Sequence, residues 1–362
     1  MSLRVAGMGW VTPLGSGVSA VWERLLKGER AKAETVSTRL SERTYQAFRV
    51  PPDATAGAPP HPRLRRSSAI SRFAVVAGLQ ALEDAGLKLD SAAAERTALI
   101  FAISNGGVIY TKRFYHDVVE LGAQSASPLL FPETVFNAPA SHLAAILGIT
   151  GASYTLVGDG AVGLLALKMA EDLMSNPALD RCLVVGAEEA DWLLCDAYSR
   201  WRLLRKTPPI EPFADPPHGT ILSEGAGAVL LEAGSDGQVA VGNIDPGCNF
   251  EHRSQAAASL DDIMERLGVS NEDLVIASAN GTFVDAAEKS ALTRRAPAAR
   301  VFSPKAALGE SVGASSLWQV IAAVSALRTG QLPDGGVTAK RAIVSACGLN
   351  QQVAALSLVL RS

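Results

Sequence analysis

The sequence predicts an α/β protein of layered architecture with a largely covered sheet. Apolar runs typical of buried strands, such as Thr97–Ile103, alternate with segments of helical periodicity, such as Ser71–Ala85. The second half of the chain repeats the order of the first, which indicates duplication. With 362 residues the chain is long enough for two domains or one duplicated domain.

In the first half, strands end at glycines or turns, and most helices end at a glycine stop signal. The predicted strands are Leu3–Pro13, Thr97–Ile103, Ser153–Val157, Cys182–Val185 and Ser223–Glu232. The predicted helices are Val18–Lys27, Ser71–Ala85, Pro139–Gly148 and Gly163–Met174. Proline-rich, less periodic sequence predicts surface loops at Ala31–Ser68 and Glu211–Gly219.

The second half shows the same plan. Its predicted helices are Ser259–Leu267, a segment after Thr282, and Ala314–Arg328, which places Leu317, Val320, Ile321, Val324 and Leu327 on one face. Its predicted strands are Leu274–Ala279, Ala342–Ser345 and Val353–Leu360. We therefore expect two similar halves, residues 1–235 and 236–362.

Composition excludes several classes of function. A net charge of −3 and a pI of about 6.0 give no reason to expect nucleic acid or anionic membrane as a partner. The basic run Arg63–Arg66 predicts a solvated loop. No targeting segment and no run of about twenty apolar residues is evident, so a cytoplasmic protein is expected. The cysteines are widely spaced and predict buried free thiols rather than a zinc site or disulfides: Cys182, Cys195, Cys248 and Cys347.

One turn in the middle of the chain has the character of a functional site. The strand Ser153–Val157 ends at Gly158-Asp159-Gly160 and passes at once into a helix. A helix N-terminus suits a phosphate or an activated nucleophile, because its first N–H groups are unpaired. Gly158, Gly160 and Gly163 fit the dinucleotide fingerprint GxGxxG. The turn alone leaves both interpretations open.

Motifs along nearly the whole chain resemble those of the β-ketoacyl-acyl carrier protein synthase (ketosynthase) family. Gly7–Gly15 is similar to that family's GMGxVTPLG start, and Trp22–Gly28 to its following helix. Glu211–Phe213 with Gly219 and Ser223–Gly227 resembles the motif RPFxxxRDGFVxGEGAG, although the first arginine and the RD pair are absent. Asn280–Thr282 with Asp285 and Glu288 resembles HGTGT…D…E. Lys305 with Gly309–Ala314 resembles K…GHxxGAAG. The resemblance implies a thiolase-like, layered α-β-α-β-α fold built from two similar halves.

This order of motifs also bears on the glycine turn. A dinucleotide fingerprint has an acidic residue about twenty positions on, whereas Glu188 follows Gly158 by thirty. A dinucleotide-binding protein therefore stays a remote alternative. No cofactor or metal is expected.

The resemblance places the family's catalytic cysteine and two histidines at Gly160, Asn280 and Glu310. In the family the cysteine carries the acyl chain as a thioester, and the histidines assist decarboxylation of a malonyl extender. Gly160 cannot form an acyl-enzyme, and an ionised Glu310 would oppose the developing enolate charge. Lys305 and Glu288 occupy retained family positions.

Other side chains give weaker candidates for chemistry. Asp159 could act as a nucleophile, but an aspartate at such a turn is commonly an N-cap. Cys195 and Cys347 are expected to be inert, and His142 and His218 fall outside the family's catalytic positions.

The favoured hypothesis is a ketosynthase-like subunit of fatty acid or polyketide-type biosynthesis without condensing activity, similar to the chain-length factors that pair with an active ketosynthase. The resemblance implies that the protein forms a homodimer or a heterodimer and that Ser153–Val157 lies near the dimer axis. The chain is shorter than a typical member, chiefly between Glu232 and Asn280, so contact with an acyl carrier protein is left open. The alternatives are an acyltransferase or hydrolase using Asp159 or Glu310, and a homodimeric acyl-binding scaffold.

Overall fold

The computed structural model of the chain describes residues 2–39, 41–234 and 236–361. The strands within them are β1 Leu3–Thr12, β2 Gly15–Ser16, β3 Ala33–Thr38, β4 Ser41–Phe48, β5 Thr97–Ile103, β6 Ser153–Val157, β7 Arg181–Glu188, β8 Leu222–Ser223, β9 Gly225–Ala233, β10 Val239–Asn249, β11 Leu274–Ile276, β12 Arg300–Phe302, β13 Gln331–Leu332, β14 Gly335–Gly336, β15 Arg341–Cys347 and β16 Gln352–Leu360. The α-helices are α1 Val18–Leu26, α2 Ala69–Asp84, α3 Ser91–Glu95, α4 Val108–Leu121, α5 Ala138–Leu147, α6 Val162–Leu173, α7 Trp192–Arg200, α8 Ala256–Arg266, α9 Phe283–Arg295, α10 Lys305–Leu308 and α11 Ser315–Thr329.

The main sheet contains the same strand arrangement twice. Its order is β12-β11-β15-β16-β10-β1-β9-β7-β5-β6, with β2 attached to β1. If the five strands on each side of the β10–β1 contact are numbered along the chain, both sets have the order 3-2-4-5-1. In both sets the second strand runs parallel to the third and fourth, and the other neighbours are antiparallel. The prediction of a layered fold from two similar halves is confirmed.

Two helices form the middle layer. In α11, 13 side chains are buried, and the helix packs against α6, β9 and β15. Helix α6 contacts β5 and β7 of its own half and β10 and β16 of the other. Helices α2 and α5 cover one outer face, and α8 and α9 cover the other. This arrangement brings the N-terminus of α6 up against the second half.

Several elements were missed in the sequence. The predicted surface loop Ala31–Ser68 instead contains the hairpin β3–β4, whose side chains are mostly exposed or half-buried and show no alternation of apolar residues. Helix α4 has no buried side chain, and the sequence predicts no element between Ile103 and Pro139. Helix α7 was also missed. Strand β10 is interrupted by two register shifts, which break its period-2 pattern.

The predicted boundary between the halves falls at Ser235, which lies outside the described residues, and it stays a prediction. In the part of the chain that the structure describes, no helix is both long and apolar enough to cross a membrane.

Candidate functional site

The turn between β6 and α6 is covered by the second half. Gly160 is buried just before the N-cap Ala161. A Cβ atom added at Gly160 would lie 3.2 Å from Cα of Gly348 and 3.7 Å from the carbonyl oxygen of Cys347. The φ angle of Gly160 is not in the left-handed region, so the backbone itself does not require glycine there. The position offers no side chain for covalent chemistry.

Asp159 does not cap the helix, which corrects the expectation from sequence. Its carboxylate accepts hydrogen bonds from three backbone N–H groups of the loop after β15, at N···O distances of 3.2, 2.8 and 2.9 Å: those of Leu349, Asn350 and Gln351. The N-cap is Ala161, and it makes no side-chain hydrogen bond. The local turn gave no sign of this contact, because the partners lie about 190 positions further along the chain.

Asn280, Glu310 and Lys305 form one buried network. Oε2 of Glu310 accepts from Nζ of Lys305 at 2.8 Å and from Nδ2 of Asn280 at 2.7 Å. The side chains of Lys305 and Glu310 are 1% and 2% exposed. Oδ1 of Asn280 accepts from the hydroxyl of Thr282, the N-cap of α9, at 2.7 Å. The two residues predicted to occupy the histidine positions, Asn280 and Glu310, therefore bond to each other.

Ser278 links this network to the turn. Its hydroxyl lies 3.3 Å from Nζ of Lys305 and donates to the carbonyl oxygen of Cys347 at 3.1 Å. That carbonyl is the one facing the Cβ position of Gly160. A chain of contacts thus runs from the turn to Glu310 through Ser278, a residue the sequence analysis did not identify.

Glu288 lies behind Ser278. Its Oε1 accepts from the N–H of Ser278 at 3.0 Å and from the hydroxyl of Ser345. Complete burial raises the pKa of Glu288 to about 7, an effect that the Ser345 and Ser278 hydrogen bonds reduce. Asp285 nearby accepts from the N–H groups of Asn280 and Gly281, and its pKa is also raised, mainly by burial.

Acidic groups dominate the surroundings of the turn. Burial raises the pKa of Glu188 to about 8, although the N–H groups of Ser104 and Asn105 donate to it. Burial also raises the pKa of the Tyr198 hydroxyl, and the neighbouring Asp159, Glu188 and Glu310 raise it further. Tyr198 was missed because α7 was missed.

These features do not support malonyl decarboxylation. That reaction needs hydrogen-bond donors aimed at the developing negative charge. Here the Lys305 ammonium and the Asn280 amide both donate to Glu310. A carboxylate at position 310 in a site rich in acidic groups would repel both the malonyl carboxylate and an enolate.

The dinucleotide alternative finds no support in the geometry. A Cβ atom at Gly163 would lie 2.5 Å from Oγ of Ser316, so this glycine permits α6 to approach α11 closely. Glu188, the candidate for a ribose contact, is 2% exposed and bonded to backbone N–H groups. The space beside the turn is occupied by Gly348 rather than open to a pyrophosphate.

Of the four cysteines, Cys347 borders the turn through its backbone carbonyl. Cys182, Cys195 and Cys347 are buried, and burial raises the pKa of each thiol. Cys248 is exposed, so the expectation that all four thiols are buried is wrong; it lies at a register shift of β10, where the alternation of buried and exposed positions breaks.

Neither histidine candidate belongs to the site. His142 bonds to Glu133 at 2.5 Å, and His218 bonds to Glu211 at 2.8 Å. Among the described residues, no group of three or more His, Cys, Asp or Glu side chains could hold a metal ion.

Comparison with known proteins identifies the family. The family model for the β-ketoacyl synthase N-terminal domain matches residues 2–237, and that for the C-terminal domain matches residues 236–335. The chain belongs to the β-ketoacyl synthase family. Among curated relatives, 3-oxoacyl-[acyl-carrier-protein] synthase 2 of Vibrio cholerae is 25% identical over 96% of this chain and 86% of its own length. Nodulation protein E of a Rhizobium species is 24% identical over 91% and 87%.

Solved structures show the same fold. This β-ketoacyl synthase family member matches the ishigamide ketosynthase/chain length factor with a TM-score of 0.86 and 20% identity over 100% of this chain and 99% of that one. It matches a ketosynthase in complex with its chain length factor from Xenorhabdus doucetiae with a TM-score of 0.83 and 16% identity over 99% and 98%. The fold is therefore thiolase-like.

Proposed function

We propose that this chain is a ketosynthase-fold subunit without condensing activity of its own, which pairs with an active ketosynthase in fatty acid or polyketide-type biosynthesis. One observation carries the proposal: position 160 has no side chain, while Glu310 accepts hydrogen bonds from both Asn280 and Lys305. A thioester cannot form at Gly160, and the donors that an enolate would need are already engaged.

An exposed apolar face supports a partner role. The face consists of α4, residues 129–136 and β6, and its exposed large apolar side chains are Tyr115, Val119, Leu121, Leu129, Phe131, Val135, Phe136, Tyr154 and Val157. Exposed apolar patches of this kind mark sites of protein association. Strand β6 ends the sheet, with β5 as its hydrogen-bonded neighbour among the described residues, so its outer edge can pair with another strand.

The similarity to assemblies of a ketosynthase with a chain length factor agrees with this proposal. A partner that contributes an interface and part of an acyl tunnel needs the fold and the face, but no nucleophile. The same reasoning leaves an acyl carrier protein as a partner of the assembled pair, as in the solved complex of a type II acyl-carrier protein with its ketosynthase.

The experiment that tests the proposal is incubation of the pure chain with acyl- and malonyl-carrier protein. Intact-mass measurement detects a covalent adduct and chromatography detects product, with a cysteine-bearing ketosynthase as the positive control. We expect neither adduct nor product, and we expect the chain to co-purify with a co-expressed ketosynthase. An adduct or turnover by the chain alone would refute the proposal, as would failure of every co-expressed ketosynthase to bind.

The acyltransferase or hydrolase alternative has less support. Asp159 would have to give up three backbone hydrogen bonds to attack an acyl group, and Glu310 is paired with Lys305. In the scaffold alternative, the same apolar face forms a homodimer. Sedimentation of the chain with and without a ketosynthase distinguishes this scaffold from the proposed partner subunit: a homodimer that excludes the ketosynthase favours the scaffold.

A further inference from the structure

The loop after β15 presents consecutive backbone N–H groups to a single carboxylate. The N–H of Leu349 donates to Oδ1 of Asp159, and those of Asn350 and Gln351 donate to Oδ2. Successive N–H groups that converge in this way form a concave anion-binding nest.

The loop is shaped around this carboxylate. A Cβ atom at Gly348 would lie 1.9 Å from Oδ2 of Asp159, so only glycine leaves room for it. The side chain of Gln352 returns to accept from the N–H of Asp159 at 3.0 Å, which fixes the turn from its other side. Asp159 itself is 8% exposed. The fit therefore involves the side chain of one half and the backbone of the other.

The position of the carboxylate also matters for the turn. Gly348 lies against Oδ2 of Asp159 and, through its Cα, 3.2 Å from the Cβ position of Gly160. The backbone of Gly348 therefore borders both the Asp159 carboxylate and the Cβ position of Gly160.

We propose that the N–H groups of Leu349, Asn350 and Gln351 form an anion-binding cradle that the chain fills with its own Asp159 carboxylate, and that a small free carboxylate binds there once this side chain is removed. The cradle joins the turn of the first half to the loop after β15 in the second half. This inference does not rest on the partner role, because it concerns only contacts within one chain.

The test is rescue of Asp159→Gly by sodium formate, with sodium chloride at equal ionic strength as the salt control. We expect formate to raise the melting temperature of D159G by about 2 °C more than chloride does, since a ligand that binds only the folded state stabilises it. Wild type and Asp159→Asn, in which a side chain still fills the cradle, should show no such selective rise.

Equal responses of D159G and D159N to formate would overturn the proposal. If D159G folds poorly, its refolding yield is measured in sodium formate and in sodium chloride. A higher yield in formate supports the cradle, and equal yields count against it. Gly348→Ala provides an independent check of the geometry. It should lower the melting temperature of wild type but have little effect in the D159G background, and equal losses in both would show that the carboxylate does not occupy this space.

Discussion

At the scale of single residues, Lys305 is the group on which the buried network depends. It supplies the positive charge in the bridge to Glu310, and both side chains are almost fully buried. Removal of one partner of such a pair leaves an uncompensated charge in the interior, whereas removal of both can be close to neutral. A single substitution in this pair is therefore expected to destabilise the fold much more than a substitution of both residues.

We predict that Lys305→Met lowers the free energy of unfolding by about 3–5 kcal/mol at pH 7. The double variant K305M/E310Q should recover much of that loss, because no charge is then left unpaired. Denaturant unfolding of both variants measures the difference, and Lys32→Met, at an exposed position, is the matched control. Equal losses in the single and double variants would contradict a functioning buried ion pair.

The buried carboxyl groups give a second prediction at this scale. The pKa values of Glu288 and Glu188 are raised from 4.5 to about 7 and about 8 by burial. Between pH 4.5 and these values the unfolded chain has released protons that the folded chain still holds, so stability falls as pH rises through this window. The glutamine side chains of Glu288→Gln and Glu188→Gln are neutral at every pH. Each variant should therefore reduce the fall in the free energy of unfolding between pH 5 and pH 8 by about 1–3 kcal/mol.

Unfolding free energies at pH 5, 6, 7 and 8 check this expectation, with the exposed Glu272→Gln as the control. Carboxyl groups with lowered pKa values, such as those of Asp180 and Asp245, titrate below 3.8 and act only in more acidic solution. A wild-type stability that rises from pH 5 to pH 8 would contradict the assignment of raised pKa values.

Single residues also show the limit of reading this sequence. Gly160, Asn280 and Glu310 stand out because the order of the motifs predicts reactive residue types at these positions. The role of Asp159 could not be predicted, because it depends on backbone N–H groups of a distant loop and no local residue pattern encodes such a contact. The contacts of Ser278 could not be predicted for the same reason.

At the scale of elements, burial decides what the sequence reveals. Strand β5 is buried along its whole length, and its bounds were predicted without error. Helix α11, with 13 buried side chains, was predicted to within one residue. By contrast, most side chains of β3 and β4 are exposed or half-buried, and α4 has no fully buried side chain. Few buried positions leave no strict apolar period in β3, β4 or α4, and these elements were missed.

The apolar side chains of α4 therefore need an explanation other than the core. Phe114 packs on Phe131 with ring centroids 5.7 Å apart, which ties the helix to the segment beside it. Val119 and Leu121 remain 76% and 63% exposed. A helix with this composition and no buried side chain is consistent with a surface that another protein covers.

At the scale of the whole molecule, the duplicated fold separates two requirements. The strand order 3-2-4-5-1 occurs in both halves, and α6 and α11 pack between them, so the scaffold persists whatever occupies the turn. Condensing chemistry needs particular groups at the turn, whereas the proposed association uses only the outer face. Under the proposal, the face is therefore expected to function whatever residues occupy the turn.

This separation leads to a prediction for the assembled complex. In a reconstituted system with an active ketosynthase, Val119→Asp should weaken association at least about tenfold and reduce product in proportion, because a charge in a buried interface is costly. Asp159→Asn should leave product formation per assembled complex unchanged.

Leu193→Asp, at an exposed apolar position on α7, is the control for V119D. Association is measured by sedimentation and product by chromatography. An enzyme that uses Asp159 would give the reverse pattern, with V119D active and D159N silent, and that result would replace the partner role with catalysis by this chain.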